Sequence, residues 1–333
     1  VRRVKAYGPA CLGNVAAGFD VLGAALAPAG GEAWGDIVEI VDLQGEERRR
    51  SGRKRPSASP RIHLVCGGPF AHRLPADPAD NLAVKACEAI ARRLGRPLPP
   101  LELRLHKGLP VGSGLGSSSA TVVAVVRALD RLLGQPLDEA ELLAAAGEAE
   151  AHASGGLHLD NVAAALLGGL RLVDPGDRAR WLPFPDELRF VLAIPELTLA
   201  TREARAALPA TVPLGLAVAH AQNLGALVHA LHAGDRDLLR ACLRDLLAEP
   251  YRAGLVPGFR EVQAAGLHAG AWGCSLSGAG PAVFAVAGSA AAAPAIGEAM
   301  RRAWAGAGVG CEIKVCVLDR QGARVVEEEG ACG

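Results

Sequence analysis

At 333 residues, half of them hydrophobic, the chain is long enough to bury a large core and reads as globular, with two domains expected. Its 35 basic and 35 acidic residues cancel, which argues against a nucleic-acid partner or a membrane surface held by charge. The eight cysteines (Cys11, Cys66, Cys87, Cys242, Cys274, Cys311, Cys316 and Cys332) show no Cys-x-x-Cys pair and no zinc-like His spacing, so packed, reduced thiols and a cytoplasmic protein are expected.

Val1-Arg2-Arg3-Val4-Lys5 leads towards Pro9 and not into the apolar core of a signal peptide. The segment from Pro9 to Gly23 sets an amide, Asn14, and a carboxylate, Asp20, in small and apolar surroundings. Polar groups placed there need partners. A ligand ammonium or hydroxyl would serve, and so would a turn carrying a helix cap at Asp20. Ile37 to Leu43 has strand character. Gly45 to Arg61 breaks the pattern with Arg48-Arg49-Arg50 and Arg53-Lys54-Arg55 but no aromatic residue to stack a base, so it reads as a solvated loop. Ile62 to Cys66 resumes as a strand, and Asp80-Asn81 cap a helix through Leu94 that Gly95 ends.

Leu101-Glu102-Leu103-Arg104-Leu105 alternates as a strand with one buried face. Pro110-Val111-Gly112-Ser113-Gly114-Leu115-Gly116-Ser117-Ser118-Ser119-Ala120 follows, and then a helix is predicted over Thr121 to Leu133. Glycines let backbone N–H groups turn inward, a helix start adds free N–H groups and a positive dipole end, and serine hydroxyls suit phosphate oxygens or magnesium. Strand, glycine loop, helix is the order a polyphosphate cradle needs. A Walker A loop is excluded because no lysine follows Gly116, and a dinucleotide fingerprint because the spacing is Gly112-x-Gly114-x-Gly116. A flexible linker is the plainer alternative, but linkers rarely join two strongly patterned apolar elements.

Pro136-Leu137-Asp138 starts a helix through Glu148, Glu150 and His152 to Gly155-Gly156. Asp160-Asn161 cap an apolar helix ending at Gly168-Gly169; Asn161 to Leu170 is too short and glycine-rich to cross a membrane. Leu170 to Val173 reads as a strand with a turn at Asp174-Pro175-Gly176, and a domain boundary is expected here, dividing 1–170 from 171–333. Phe190 to Ile194 is an apolar strand stopped by Pro195. Helices are predicted over Leu216 to His232 and Asp237 to Ala248, strands over Pro281 to Val286 and Ile313 to Leu318, and a helix over Ala292 to Ala305. Ser275-Leu276-Ser277-Gly278-Ala279-Gly280-Pro281 forms another tight loop before a strand.

The three small-residue motifs, in this order, resemble those of the GHMP family of small-molecule kinases, whose second motif is Pro-x-x-x-Gly-Leu-Gly-Ser-Ser-Ala. Pro110 to Ala120 matches it with one extra serine, Ser119. Within the family the resemblance is greatest to the homoserine-phosphorylating branch. It is carried by Gly147-Glu148-Ala149-Glu150, His158 to Ala163, Thr201-Arg202-Glu203-Ala204-Arg205, Glu249-Pro250-Tyr251-Arg252 and Leu255 to Phe259. The segments 45–61 and Gly67-Gly68 do not match well, which leaves the adenine contacts open.

The resemblance implies an α+β fold of two domains, an N-terminal ATP-binding half like ribosomal protein S5 domain 2 and a ferredoxin-like C-terminal half. It implies phosphorylation of L-homoserine by ATP with Mg2+ to O-phospho-L-homoserine, in threonine biosynthesis, and it is compatible with a homodimer. By the same resemblance, Pro110, Val111, Gly112, Ser113, Gly114, Leu115, Gly116, Ser117, Ser118 and Ser119 would bind ATP, and Ser118 and Glu150 would hold the metal. Asn14, Asp20, Asn161, Thr201, Arg205 and Arg252 would bind the substrate, the two arginines at its carboxylate and Asn161 near the reacting hydroxyl. Asn161 and Asp20 are the catalytic candidates; Asp20 is the alternative to having no dedicated base. Read without the resemblance, Glu150 is a solvated helix carboxylate and the arginines are surface residues. A kinase for another alcohol such as mevalonate, or a non-catalytic sensor on the same fold, are the rival readings.

Overall fold

The computed structural model describes residues 2–44 and 62–330; the basic segment read above as a loop, and Cys332, lie outside the described residues. In chain order its elements begin with β1 (Arg3–Gly13), β2 (Leu22–Pro28), β3 (Gly35–Asp42), β4 (Ile62–Gly67), α1 (Leu82–Arg93) and β5 (Leu101–His106). There follow α2 (Ser117–Leu132), α3 (Glu139–Ser154), α4 (Asp160–Leu167), β6 (Leu170–Val173), β7 (Ala179–Leu182) and β8 (Arg189–Pro195). The last third holds α5 (Thr201–Ala206), α6 (Leu214–Ala233), α7 (Arg236–Cys242), α8 (Glu249–Arg252), α9 (Phe259–His268), β9 (Gly273–Leu276), β10 (Val283–Ala287), α10 (Ala293–Gly306), β11 (Cys311–Leu318) and β12 (Arg324–Glu329). The fold is α+β, as the resemblance implied.

The strands join in the order β4-β5-β3-β1-β2-β11-β8-β10-β9, with β12 beside β1 and the hairpin β6–β7 beside β2. Three apolar clusters cover this sheet. Helices α1 to α4 pack against β1, β3 and β5; α6 and α7 pack with β2, β8 and β10; α9 and α10 pack with β8, β9 and β10. Strand β8 is buried on both faces, with Phe190 and Leu192 in one cluster and Val191 and Ala193 in another. That explains its unbroken apolar run. Strand β5 alternates buried and more open positions, as its sequence does.

Several elements differ from the sequence expectation. Helix α2 begins at Ser117, four residues early, because Gly116 takes a left-handed backbone (φ 61°) as its N-cap. The three serines therefore form its first turn. Asp160 and Asn161 are not caps but the first two residues of α4, behind the N-cap Leu159. The helix expected over Asp237 to Ala248 stops at Cys242. Asn223 donates its amide to the carbonyls of Cys242 and Arg244, and the Asp245 carboxylate accepts from the N–H groups of Leu247, Ala248 and Glu249, which turns the chain into α8. The helix cap considered for Asp20 is absent: it lies in a turn between β1 and β2 with φ 58°. By length and composition α6 could cross a membrane, unlike the shorter windows considered above, but Leu227, Ala230 and Leu231 pack into the core beside β8.

One close approach sets the position of α4. A Cβ on Gly23 of β2 would lie 1.9 Å from the backbone oxygen of Asp160. Gly23→Ala must push the start of α4, and with it Asn161, away from the sheet. Overpacking of this kind costs on the order of 1–3 kcal/mol. The melting temperature should drop by several degrees, read by thermal scanning; an unchanged value would show that α4 yields freely.

Candidate active site

The segment after β5 is held by its carbonyls. Those of Gly112, Ser113, Gly114 and Leu115 accept hydrogen bonds from Leu199 N–H, Ala282 N–H, Ser277 Oγ–H and Cys11 N–H at 3.0, 3.0, 2.5 and 3.1 Å. A peptide unit points its N–H opposite to its C=O. The N–H groups of Ser113 to Gly116 are thereby turned away from these partners. None of the N–H groups from Val111 to Ser119 donates to another group among the described residues. Those of Ser117 to Ser119 are the unpaired donors of a helix start. Three glycines with φ of 70°, 82° and 61° make the path possible. The buried Ser119 hydroxyl also has no partner among the described residues.

Beneath the loop lies a buried ion pair. Lys107, 1% exposed, donates to Asp36, to the Ser117 carbonyl at 2.6 Å and to Thr121 Oγ1 at 3.0 Å. Asp36 also accepts from the N–H groups of Gly108 and Leu109 and from the Thr121 hydroxyl. This pins the end of β5 to the first turn of α2. Burial pulls the Lys107 ammonium below its ordinary pKa, and Asp36 opposes that. Sequence reading missed both residues.

The loop opens onto a cavity of about 790 Å³. Nearly every predicted site residue lines it: Asn14, Asp20, Val111 to Gly114, Gly116 to Ser119, Glu150, Asn161, Thr201, Arg205 and Arg252. Pro110 and Leu115 do not. Pro110 accepts from Ser113 Oγ, and Leu115 is fully buried in the core. His152 and His158 both line the cavity, as do Arg73, Lys107 and Asp160, which had no assigned role. Exposed Arg73 donates to Thr198 Oγ1 at 3.0 Å across the cavity mouth.

Glu150, on α3, is not solvated. It is 9% exposed and accepts from Ser118 Oγ at 2.5 Å. Burial, against the Ser118 hydrogen bond and Lys107, raises its pKa to about 7. Asp160, also buried, is raised to about 6, with burial first and Asp20 next among the causes, although the N–H groups of Asn161 and Asn14 favour its charge. Among the described residues no three or more His, Cys, Asp or Glu side chains gather to hold a metal. One hydroxyl and one carboxylate beside a row of unpaired N–H donors are a donor set that suits Mg2+, which keeps several of its waters and takes few ligands from protein.

At the opposite end, Asp20 and Arg205 form a bidentate pair at 2.7 and 2.8 Å, with His158 Nδ1 3.3 Å from the guanidinium. Desolvation lowers the His158 pKa. Arg252 is 3% exposed and donates through Nε to Ala204 and through Nη1 to Gly278, leaving Nη2 without a partner among the described residues. Both guanidinium carbons lie 5.2 Å from the Phe19 ring centroid. Burial first, and Arg205 second, pull the Arg252 pKa below its ordinary value. A buried cation so placed favours an anion beside it. The two arginines are therefore not equivalent: the fork of Arg205 is filled by Asp20, whereas Arg252 has a donor to offer.

Asn14, with φ 54°, uses its side chain to tie the loops together. It donates to the Gly278 carbonyl at 3.1 Å and accepts from Asp20 N–H at 2.9 Å. Asn161 Oδ1 accepts from Cys11 Sγ at 3.2 Å, and a Cβ on Gly116 would lie 3.2 Å from it. Asn161 thus stands at the join between the glycine–serine loop and the Asp20–Arg252 end. Thr201 is the first residue of α5, which also carries Arg205.

A cradle of free N–H groups, a buried hydroxyl–carboxylate pair and a polar pocket beyond them define a phosphotransferase for a small molecule. The family model for the GHMP kinases N terminal domain matches residues 81–169, and that for the GHMP kinases C terminal domain matches 227–306. The chain belongs to the GHMP kinase family. It is similar to a homoserine kinase from Cytophaga hutchinsonii, with 36% identity, a TM-score of 0.85 and 97% of each chain covered. A Listeria monocytogenes protein provisionally described as a homoserine kinase shares 24% identity (TM-score 0.66; 99% of this chain and 100% of that one). L. major mevalonate kinase, solved with R-mevalonate, shares 18% (TM-score 0.65; 94% and 95%). The latter two are likenesses of fold.

Proposed function

We propose that the chain transfers the γ-phosphoryl group of ATP to the side-chain hydroxyl of L-homoserine, giving O-phospho-L-homoserine for threonine biosynthesis. The observation that carries the reading is the continuous row of unpaired N–H groups from Val111 to Ser119 facing a cavity that ends in Asp20 and buried Arg252. The first suits polyphosphate; the second offers a carboxylate for an ammonium and a guanidinium for a carboxylate, the two charges of an amino acid.

Transfer of this kind is mainly positioning and charge stabilisation. The cradle and Ser119 hydroxyl hold the phosphates, and Lys107 with Asp36 keeps the first turn of α2 in place. Ser118 and Glu150 would hold Mg2+, which supplies neutralisation of phosphate charge when bound. Asp20 takes the ammonium, Arg252 the carboxylate, and Asn161 directs the hydroxyl towards the cradle. Each oxygen of Asp20 accepts one hydrogen bond from Arg205 and keeps a further lone pair, with which it can meet the ammonium.

ADP release measured over a panel of alcohols tests the assignment. L-Homoserine should exceed L-serine, mevalonate and galactose, and turnover should require Mg2+. L-Serine lacks a methylene to reach from the charged end to the cradle, and mevalonate lacks the ammonium that Asp20 would meet. Equal or faster turnover of mevalonate would overturn the assignment while leaving the kinase class intact.

A further inference from the structure

The glycine–serine loop offers donors but no full positive charge, and a nucleoside triphosphate carries more negative charge than Mg2+ cancels. Five Lys or Arg side chains line the cavity: Arg73, Lys107, Arg202, Arg205 and Arg252. Lys107 is paired with buried Asp36, and Arg205 with Asp20. Arg252 is held at the far end by Ala204 and Gly278. Arg202 is exposed on α5, beside Thr201, and no hydrogen bond among the described residues directs it at the loop. Arg73 remains. Its Nη2 donates to a neutral group, the Thr198 hydroxyl, and its Nε and Nη1 have no partner among the described residues.

Arg73 is tied to the loop from both sides. It closes the 3-10 turn Ala71–Arg73 on the connection between β4 and α1. Just ahead of that turn the Phe70 N–H donates to the Lys107 carbonyl at 3.3 Å, and the Lys107 N–H donates to the Gly67 carbonyl at 2.8 Å. The backbone of the turn is thus held to the end of β5, a few residues before the loop. Its partner Thr198 lies against the loop itself: a Cβ on Gly112 would stand 2.7 Å from Thr198 Cγ2, and the next residue, Leu199, donates its N–H to the Gly112 carbonyl. The guanidinium therefore stands beside Val111 and Gly112, where the row of unpaired N–H groups begins, and not at the Asp20–Arg252 end. We propose that Arg73 binds the polyphosphate of the nucleotide, giving up the Thr198 hydroxyl for phosphate oxygens and supplying the positive charge that the loop lacks. The planar guanidinium fork can meet two such oxygens at once. This role rests on ATP as the phosphoryl donor and is independent of which alcohol accepts.

Calorimetric titration of the full chain with ATP and with adenosine, in the presence of Mg2+, tests this. Arg73→Leu should weaken ATP binding about tenfold or more, the scale of a charge-assisted contact, while adenosine binds as it does to the wild type. Arg73→Lys should recover part of the loss, because a cation remains without the fork. Added salt should weaken ATP binding more in the wild type than in Arg73→Leu, because only the wild type has the charge to be screened. Thr198→Val keeps the shape of the side chain and removes the hydroxyl. It should bind ATP as tightly as the wild type or more so, since the guanidinium no longer gives up a bond to reach phosphate. If Arg73 only fastens the cavity mouth, Arg73→Leu and Thr198→Val will instead shift ATP and adenosine alike, and that result would overturn the proposal. So would an Arg202→Leu variant that loses the preference for ATP while Arg73→Leu keeps it. ATP binding that Arg73→Leu leaves unchanged would overturn this role alone, whereas a wild type that binds no ATP would overturn it together with the proposed phosphoryl donor.

Discussion

Glu150→Gln should lower kcat on the order of a hundredfold or more, the scale set by removing one preorganised charge-stabilising group from a transfer site, while the homoserine KM changes little. The glutamine keeps the shape and can still accept from Ser118 Oγ, now 2.5 Å from the carboxylate, so the change removes charge and not packing. The same substitution should stabilise the metal-free protein at high pH. Burial raises the Glu150 pKa from 4.5 to about 7, so between these values the folded state binds more protons than the unfolded state. Stability contributed by the neutral acid is present at low pH and is lost as pH rises through that window. Above it the wild type carries a buried carboxylate beside Asp160, and the glutamine variant does not. Melting curves should therefore converge at acidic pH and separate at about pH 8, with the variant higher. Retained turnover at saturating magnesium would show that Glu150 has no role as a charged ligand; a variant less stable at both pH values would show that burial does not disfavour the charged carboxylate.

The strand–glycine loop–helix order was legible because it is local: strand, glycines, serines and helix follow one another within one stretch of chain. The first turn of that helix was placed late because the left-handed N-cap at Gly116 lets the helix begin on the serines themselves. The charged pairs were less legible. Asp36 and Lys107 are 71 residues apart, and Asp20 and Arg205 are 185 apart. Each carried only the signal of a polar residue near an apolar segment. The resemblance located Arg205 and Arg252 together, but only the fold separates a guanidinium already paired from one with a donor to spare. The early stop of α7 rests on Asn223, an amide one helix away. Strand β12 pairs with β1 from the other end of the chain, a partnership that local patterning does not encode.

That distinction between the arginines gives the second large effect. Arg252→Leu should raise the homoserine KM by roughly tenfold to a hundredfold, the on-the-order-of 1.5–3 kcal/mol of a charge-assisted contact, with ATP KM nearly unchanged. Lysine at 252 should rescue only in part, because an ammonium cannot also reproduce the planar hold on Ala204 and Gly278. Loosening of those loops would also raise KM, so the decisive quantity is a ratio. L-Homoserinamide keeps the ammonium and hydroxyl but carries a neutral amide in place of the carboxylate. Wild type should prefer the acid strongly, and Arg252→Leu should prefer it far less, because only a group that reads the negative charge alters that preference. Arg205→Leu should behave differently. It frees Asp20 from a bidentate pair and removes the partner 3.3 Å from His158 Nδ1, so KM rises for acid and amide alike and their ratio stays near that of the wild type. If Arg252→Leu discriminates acid from amide as well as wild type does, the carboxylate is read elsewhere. If Arg205→Leu alone loses the discrimination, substrate binding must break the Asp20 pair, and the roles of the two arginines are exchanged.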